Sequence, residues 1–139
     1  MEIGIIITGH GKFATGIYES IKLIAGDQDN CHTIDFKQQM QVDELKALMK
    51  QRVEELSGCD RIIIFADLQG GSPFKTALEL SYYDERICLI GGVNLPMLLE
   101  CALTKDGVDD FDGYTDDLVA SGRHGLAKLI ITDDEMEED

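Results

Sequence analysis

Three short stretches hold more chemical capacity than packing requires: Thr8-Gly9-His10-Gly11, Asp67-Leu68-Gln69-Gly70-Gly71 and Ser72-Pro73. A histidine between two glycines can serve as base or nucleophile near neutral pH, and its bare neighbours let another molecule come close. The plainer reading is a turn bearing a surface histidine. Asp67 could likewise do no more than close a turn. Set across a crevice from His10, it could instead accept a hydrogen bond from Nδ1–H, fix the tautomer and leave the Nε2 lone pair outward. Ser72 is a helix N-cap type, and Pro73 suits the first helical position. Such a helix start also turns free N–H groups and a positive dipole end toward an anion, and Gly70 and Gly71 allow close backbone approach. A phosphoryl group on His10 could therefore be held at Gly71 and Ser72 without an arginine or a lysine.

Other chemistries fit less well. "GGSPF" is not G-x-S-x-G, and Pro73 has no N–H to serve as the oxyanion-hole donor expected after a serine nucleophile. No Walker A or G-x-G-x-x-G motif occurs. Cys31, Cys59, Cys88 and Cys101 are widely spaced and read as small buried hydrophobes; Cys31-His32 lacks the other ligands zinc requires. Neither metal nor cofactor is expected.

The chain has 139 residues, which fits one domain, and 44% apolar content supports a real core. The net charge is −15. Residues 133–139 supply six acids; the remainder sets 12 basic against 21 acidic residues, a net −9. That balance opposes nucleic-acid binding and permits a basic protein partner. No apolar run reaches the ~20 residues of a membrane span, and Glu2 stands where a signal peptide would be positive. The chain is read as soluble and cytoplasmic.

These residues need elements to position them. Ile3–Thr8, His32–Phe36, Arg61–Asp67 and Arg86–Ile90 read as strands, the first and third apolar enough to be buried on both faces. Phe13, Ile17, Ile21 and Ile24 mark a helix closed by Gly26, and Leu45 to Leu56 mark another stopped by Gly58. "GGSPFKTALELSYY" reads as turn and helix, Leu95–Leu103 as a fourth helix, and Thr115-Asp116-Asp117 as a fifth helix start. Residues 126–132, "LAKLIIT", read as a short final strand, and residues 133–139 as a disordered acidic tail. The alternation implies an α/β, doubly wound, mostly parallel open sheet with helices on both faces. Ligands of such sheets sit beyond the strand ends where the order reverses, commonly between the first and third strands. His10 and Asp67 would meet there. In "VNLPMLLE", Leu98 and Leu99 read as core, whereas Asn94, Leu95 and Met97 could rim the crevice.

"TGHGKFATG", "DLQGGSPF" and "GGVNLPMLLE" together resemble the IIA component of the mannose-family sugar phosphotransferase system, over residues 1 to about 130. The resemblance implies a mannose-type IIA domain over residues 1–132. It implies a phosphocarrier in which His10 takes phosphate on Nε2 from the relay protein HPr and passes it to a IIB component. Sugar phosphorylation would then accompany transport through membrane subunits IIC and IID. Asp67 would hold Nδ1, and Ser72 and Gly71 would lie at the phosphate; Gly11, Gln69, Asn94 and Met97 are expected to meet the partners. The resemblance also implies a homodimer that exchanges its last strand, near Ala127–Thr132, as an antiparallel strand at the sheet edge. With no IIB sequence in the chain, IIB is expected as a separate chain. Gln69 stands where the family often has Trp, and Lys75 where it often has Asn, near enough to the site to alter partner preference. The alternatives are a carrier serving a dihydroxyacetone kinase, or a regulatory module that only binds a partner through the same face.

Overall fold

The computed structural model of the protein describes residues 1–132. The expected acidic tail, 133–139, lies outside the described residues. Four strands and five helices alternate: β1 Ile3–His10, α1 Phe13–Ala25, β2 Cys31–Phe36, α2 Val42–Glu55, β3 Arg61–Ala66, α3 Ser72–Ser81, β4 Ile87–Gly91, α4 Leu95–Thr104 and α5 Phe111–His124. The strands form one sheet in the order β2-β1-β3-β4, and every pairing is parallel. The order reverses between β1 and β3, as the alternation implies.

The central strands are apolar because both faces are covered. Ile3, Ile5, Ile7, Ile63 and Phe65 point to one side, where Ala14 and Ile21 of α1, Met97 and Leu98 of α4, and Phe111 and Leu118 of α5 complete a core. Ile6, Ile34, Ile62 and Ile64 point to the other, against Leu45 and Met49 of α2 and Ala77 and Leu80 of α3. The two-residue strand period thus sorts one isoleucine run into two cores. No helix among the described residues is long and apolar enough to cross a membrane.

Three expectations need correction. β1 runs two residues past Thr8, so His10 is the last residue of the strand, opposite Phe36 of β2. α5 begins at Phe111, not near Thr115: Asp110 caps it by accepting the Gly113 N–H at 3.1 Å. Thr115 is buried one turn inside, its hydroxyl donating to the Phe111 carbonyl at 3.2 Å. Both positions offer a capping side chain; burial of Phe111 in the core decides between them. Residues 126–132 form no strand, and Leu126, Leu129, Ile130 and Ile131 are exposed. An isolated chain offers this segment no ladder partner, since strand status requires paired backbone groups. β4 stays an edge strand, and no antiparallel strand occurs among the described residues.

Candidate functional site

The site lies where β1 and β3 end side by side. Asp67 follows β3 directly, and its N–H donates to the Thr8 carbonyl at 3.2 Å, so it continues the sheet by one bond. Its Oδ2 accepts two bonds from His10, the backbone N–H and the ring Nδ1, each at 2.9 Å. With Nδ1 as donor, Nε2 keeps its lone pair. The carboxylate comes this close because Gly9 lacks a side chain: a Cβ there would stand 2.9 Å from Asp67 Cγ and 2.6 Å from Phe13 Cδ1. The other carboxylate oxygen, Oδ1, is buried and has no hydrogen-bond partner among the described residues.

The His10 side chain is 45% exposed, whereas that of Asp67 is 15% exposed. A hidden acceptor therefore holds a ring that solvent and a partner can reach. Phe36 meets the ring edge-on, with centroids 6.0 Å apart and planes at 70°. Gly11, in the left-handed region at φ 60°, turns the chain away, and its N–H donates to the Phe36 carbonyl at 2.9 Å. Gly11 itself contributes no side chain beside the ring, and the space around its Cα is open.

The start of α3 faces the far edge of the ring. Leu68 to Gly71 form a tight turn with Gly70 at φ 81°. It delivers Gly71 against the imidazole: a Cβ on Gly71 would lie 2.7 Å from His10 Cε1 and 3.3 Å from Nε2. Ser72 does not cap the helix as expected. Gly71 occupies the cap position in extended conformation, Ser72 is the first helical residue, and no side chain caps α3. Pro73 at the second position carries no N–H, and the first helical bond runs from Lys75 N–H to the Gly71 carbonyl. The amides of Ser72 and Phe74 are left without a carbonyl one turn back. They lie at the positive end of the helix dipole, on the helix start whose Gly71 abuts the His10 ring. This arrangement can hold an anionic group at Nε2.

The residues expected to meet partners divide. Gly11 adjoins His10. Gln69 is exposed, with its Cγ over Gly91, and lines an open groove of about 490 Å³ along β4 with Phe74, Asn94, Met97, Gly122 and Arg123. Met97 is only 5% exposed and packs on Gly122, so it is core and groove floor rather than rim. Asn94 spends its amide within the chain: Oδ1 accepts the Met97 N–H at 3.2 Å and Nδ2 donates to the Gly122 carbonyl at 2.8 Å. It caps α4 and ties it to α5. Lys75 is exposed on α3. Phe36 and the neighbouring Asp35 escaped the sequence reading, although the strand order puts the end of β2 beside the end of β1. The cysteines are free; burial pushes the Cys31 thiol up to about 12 and that of Cys101 to about 11.

Comparison with known proteins gives a consistent result. A family model described as the PTS system fructose IIA component, EIIA-man, matches residues 4–117. The mannose-specific EIIAB component of Escherichia coli (strain K12) is 30% identical over 129 residues, 93% of this chain and 40% of that protein. The chain thus spans about two fifths of the length of that relative. The fructose-specific EIIA component of Bacillus subtilis (strain 168) is 31% identical over 98 residues, 70% of this chain and 67% of that one. Phosphotransferase system component EIIA from Streptococcus agalactiae superposes with a TM-score of 0.83 at 31% identity, covering 91% of this chain and 96% of that chain. The mannose/sorbose specific IIA subunit from Enterococcus faecalis shares the fold, with a TM-score of 0.86 at 20% identity over 96% of this chain and 98% of that one.

Proposed function

The chain belongs to the mannose/fructose IIA family of the phosphotransferase system, and from that premise we propose that it is a cytoplasmic phosphocarrier which accepts a phosphoryl group from phospho-HPr on His10 Nε2 and hands it to a IIB component. The observation that carries this reading is the division of the ring: Nδ1 is engaged by Asp67 Oδ2 at 2.9 Å while the Nε2 edge abuts the start of α3.

In the proposed step the Nε2 lone pair attacks phosphorus in line, and the bond from phosphorus to the donor's histidine breaks as the new P–N bond forms. The donor ring recovers its lone pair, and the proton on His10 Nδ1 stays in place. Positive charge grows on the His10 ring, and the Asp67 carboxylate offsets it. The Ser72 and Phe74 amides and the Ser72 hydroxyl receive equatorial oxygens. Because a phosphohistidine is exchanged for a phosphohistidine, the step needs little driving force, and its catalysis is positioning. Gly11 and Gln69 lie on the face a partner would cover. From IIB the group would reach a sugar during transport through IIC and IID. We read the exposed apolar segment 126–132 and the free edge of β4 as the parts of a homodimer contact, each copy lending its last strand to the other.

The test is incubation with phosphoenolpyruvate, Enzyme I and HPr, followed by intact-mass measurement beside His10→Ala. One acid-labile phosphoryl group on the wild type and none on the variant is expected. A wild type left unmodified by an active relay, or a variant modified as fully as the wild type, ends this reading.

A further inference from the structure

A second helix also begins beside His10, and its N-terminus is treated differently from that of α3. Helix α1 starts three residues after the histidine, and its cap position, Lys12, makes no side-chain capping bond. The cap arrives from another strand. Asp35, paired with Gly9 across the β1–β2 ladder, accepts the Thr15 N–H on Oδ1 at 3.1 Å and the Thr15 hydroxyl on Oδ2 at 2.8 Å. The next residue, Phe36, accepts the Gly11 N–H on its carbonyl at 2.9 Å and packs its ring in a T-shaped pair with that of His10. Three hydrogen bonds thus tie the turn after His10 to the end of β2, while Asp67 holds the histidine from β3.

On these contacts, and resting on the phosphocarrier reading above, we infer that Asp35 is a positioning residue for phosphoryl transfer: it anchors the Gly11–Thr15 turn and places a negative charge at the N-terminus of α1, leaving the N-terminus of α3 as the one open to the phosphoryl group. Both helix starts carry positive dipole ends near the histidine. A carboxylate already seated on α1 satisfies that end and repels a second anion. The α3 start has a glycine at its cap position and no side-chain cap. The phosphoryl group on Nε2 is therefore directed to Ser72 and Phe74 rather than toward Thr15. Asp35 touches neither His10 nor the reacting atoms in this scheme; it acts through the turn.

The experiment compares Asp35→Ala, Asp35→Asn and Thr15→Val with the wild type by three readouts. Amide hydrogen exchange at Gly11 and Thr15 reports the anchor without any reaction. Crystal structures report the position of the His10 ring. Rapid-quench kinetics with phospho-HPr separate kcat from KM. Asp35→Ala is expected to speed exchange at Thr15 and Gly11, shift the ring, and lower kcat about tenfold or more at nearly unchanged KM, since displacements near 1 Å can cost ~10²-fold. Asp35→Asn, which keeps one acceptor for the Thr15 amide, is expected to recover part of kcat, and Thr15→Val to lose less than Asp35→Ala. A kcat for Asp35→Ala within about twofold of wild type, despite faster exchange at Thr15, overturns the inference. Should Asp35→Ala fail to fold, a kcat for Asp35→Asn and Thr15→Val equal to that of wild type does the same. If the wild type itself takes no phosphate from an active relay, the phosphocarrier reading fails. An unmoved His10 ring and unchanged exchange at Gly11 in Asp35→Ala would then separately overturn the anchoring role.

Discussion

Replacing Gly71 with alanine adds one methyl group in the place where the site has least room. The Cβ would lie 2.7 Å from His10 Cε1 and 3.3 Å from Nε2. Carbon atoms pack at about 3.5–4.0 Å, so the ring edge must retreat by about 0.8 Å or more. It cannot retreat toward Asp67, because Nδ1 already sits 2.9 Å from Oδ2. The open direction is solvent, which spoils both the Nδ1 bond and the approach of Nε2 to the α3 amides. A displacement near 1 Å can cost up to ~10²-fold in rate, or about 2.7 kcal/mol. The backbone does not object: Gly71 has φ −75° and ψ 169°, extended values that alanine adopts freely. Stability should therefore change little in the wild-type background. With His10→Ala in place the clash is gone; the gain of about 0.4–1 kcal/mol through the unfolded chain is then set only against the poorer capping of alanine at the α3 N-cap, so Gly71→Ala should be better tolerated there than in the wild-type background. The assay is a time course of phosphoryl acceptance by intact mass, with denaturant unfolding of the four proteins of the double-mutant cycle. Wild-type acceptance by Gly71→Ala, or an equal stability change in both backgrounds, refutes the reasoning.

Asp67→Asn is expected to slow transfer roughly 10–100-fold with the fold retained, because charge-assisted hydrogen bonds contribute about 1.5–3 kcal/mol. Turning its oxygen toward His10 strands the NH₂ at the buried position where Oδ1 has no partner; rapid-quench kinetics alongside circular dichroism read both effects. Arg86 donates to Asp84 and, through Nη1, to the Leu56 and Cys59 carbonyls; Arg86→Ala should cost about 1–2 kcal/mol, the ion-pair share reduced by solvent screening. Arg86 holds the Asp84 carboxyl below its ordinary value, so the pair's contribution is present above that ordinary value and lost as pH falls through the lowered one. The stability gap between wild type and variant should narrow on acidification by the ion-pair share and keep the share of the two carbonyl bonds. Burial raises the Cys31 and Cys101 thiols from 9.0 to about 12 and about 11. Their contribution to stability is full below pH 9 and is lost as pH rises toward those values, and both thiols should resist alkylation at pH 8 until the chain is unfolded.

The parts of the fold that were legible are those where local composition and tertiary burial demand the same residues. Ile3–Thr8 and Arg61–Ala66 are central strands covered on both faces, so their apolar runs admit one reading. Once these strands are assigned, the switch point follows, and with it the meeting of His10 and Asp67. What stayed hidden depends on contacts across long stretches of chain. Asn94 lines the groove, but its structural bond to Gly122 spans 28 positions and no local pattern announces it. Asp35 caps a helix 20 positions away, so no capping pattern around Lys12 announces it. Ser72 has the chemistry of an N-cap, but the turn through Gly70 puts Gly71 in that place. Residues 126–132 have strand composition, yet a strand is a pairing, and the chain alone provides none.

The central claim is that His10 Nε2 carries the phosphoryl group while Nδ1 stays bonded to Asp67. It is tested most directly by ¹⁵N and ³¹P NMR of the relay-phosphorylated protein labelled at histidine, which has His10, His32 and His124. The account predicts phosphorus coupling to Nε2 of His10, with the Nδ1 proton retained and protected from exchange. Phosphorus on Nδ1 of His10, or on His32 or His124, would contradict it.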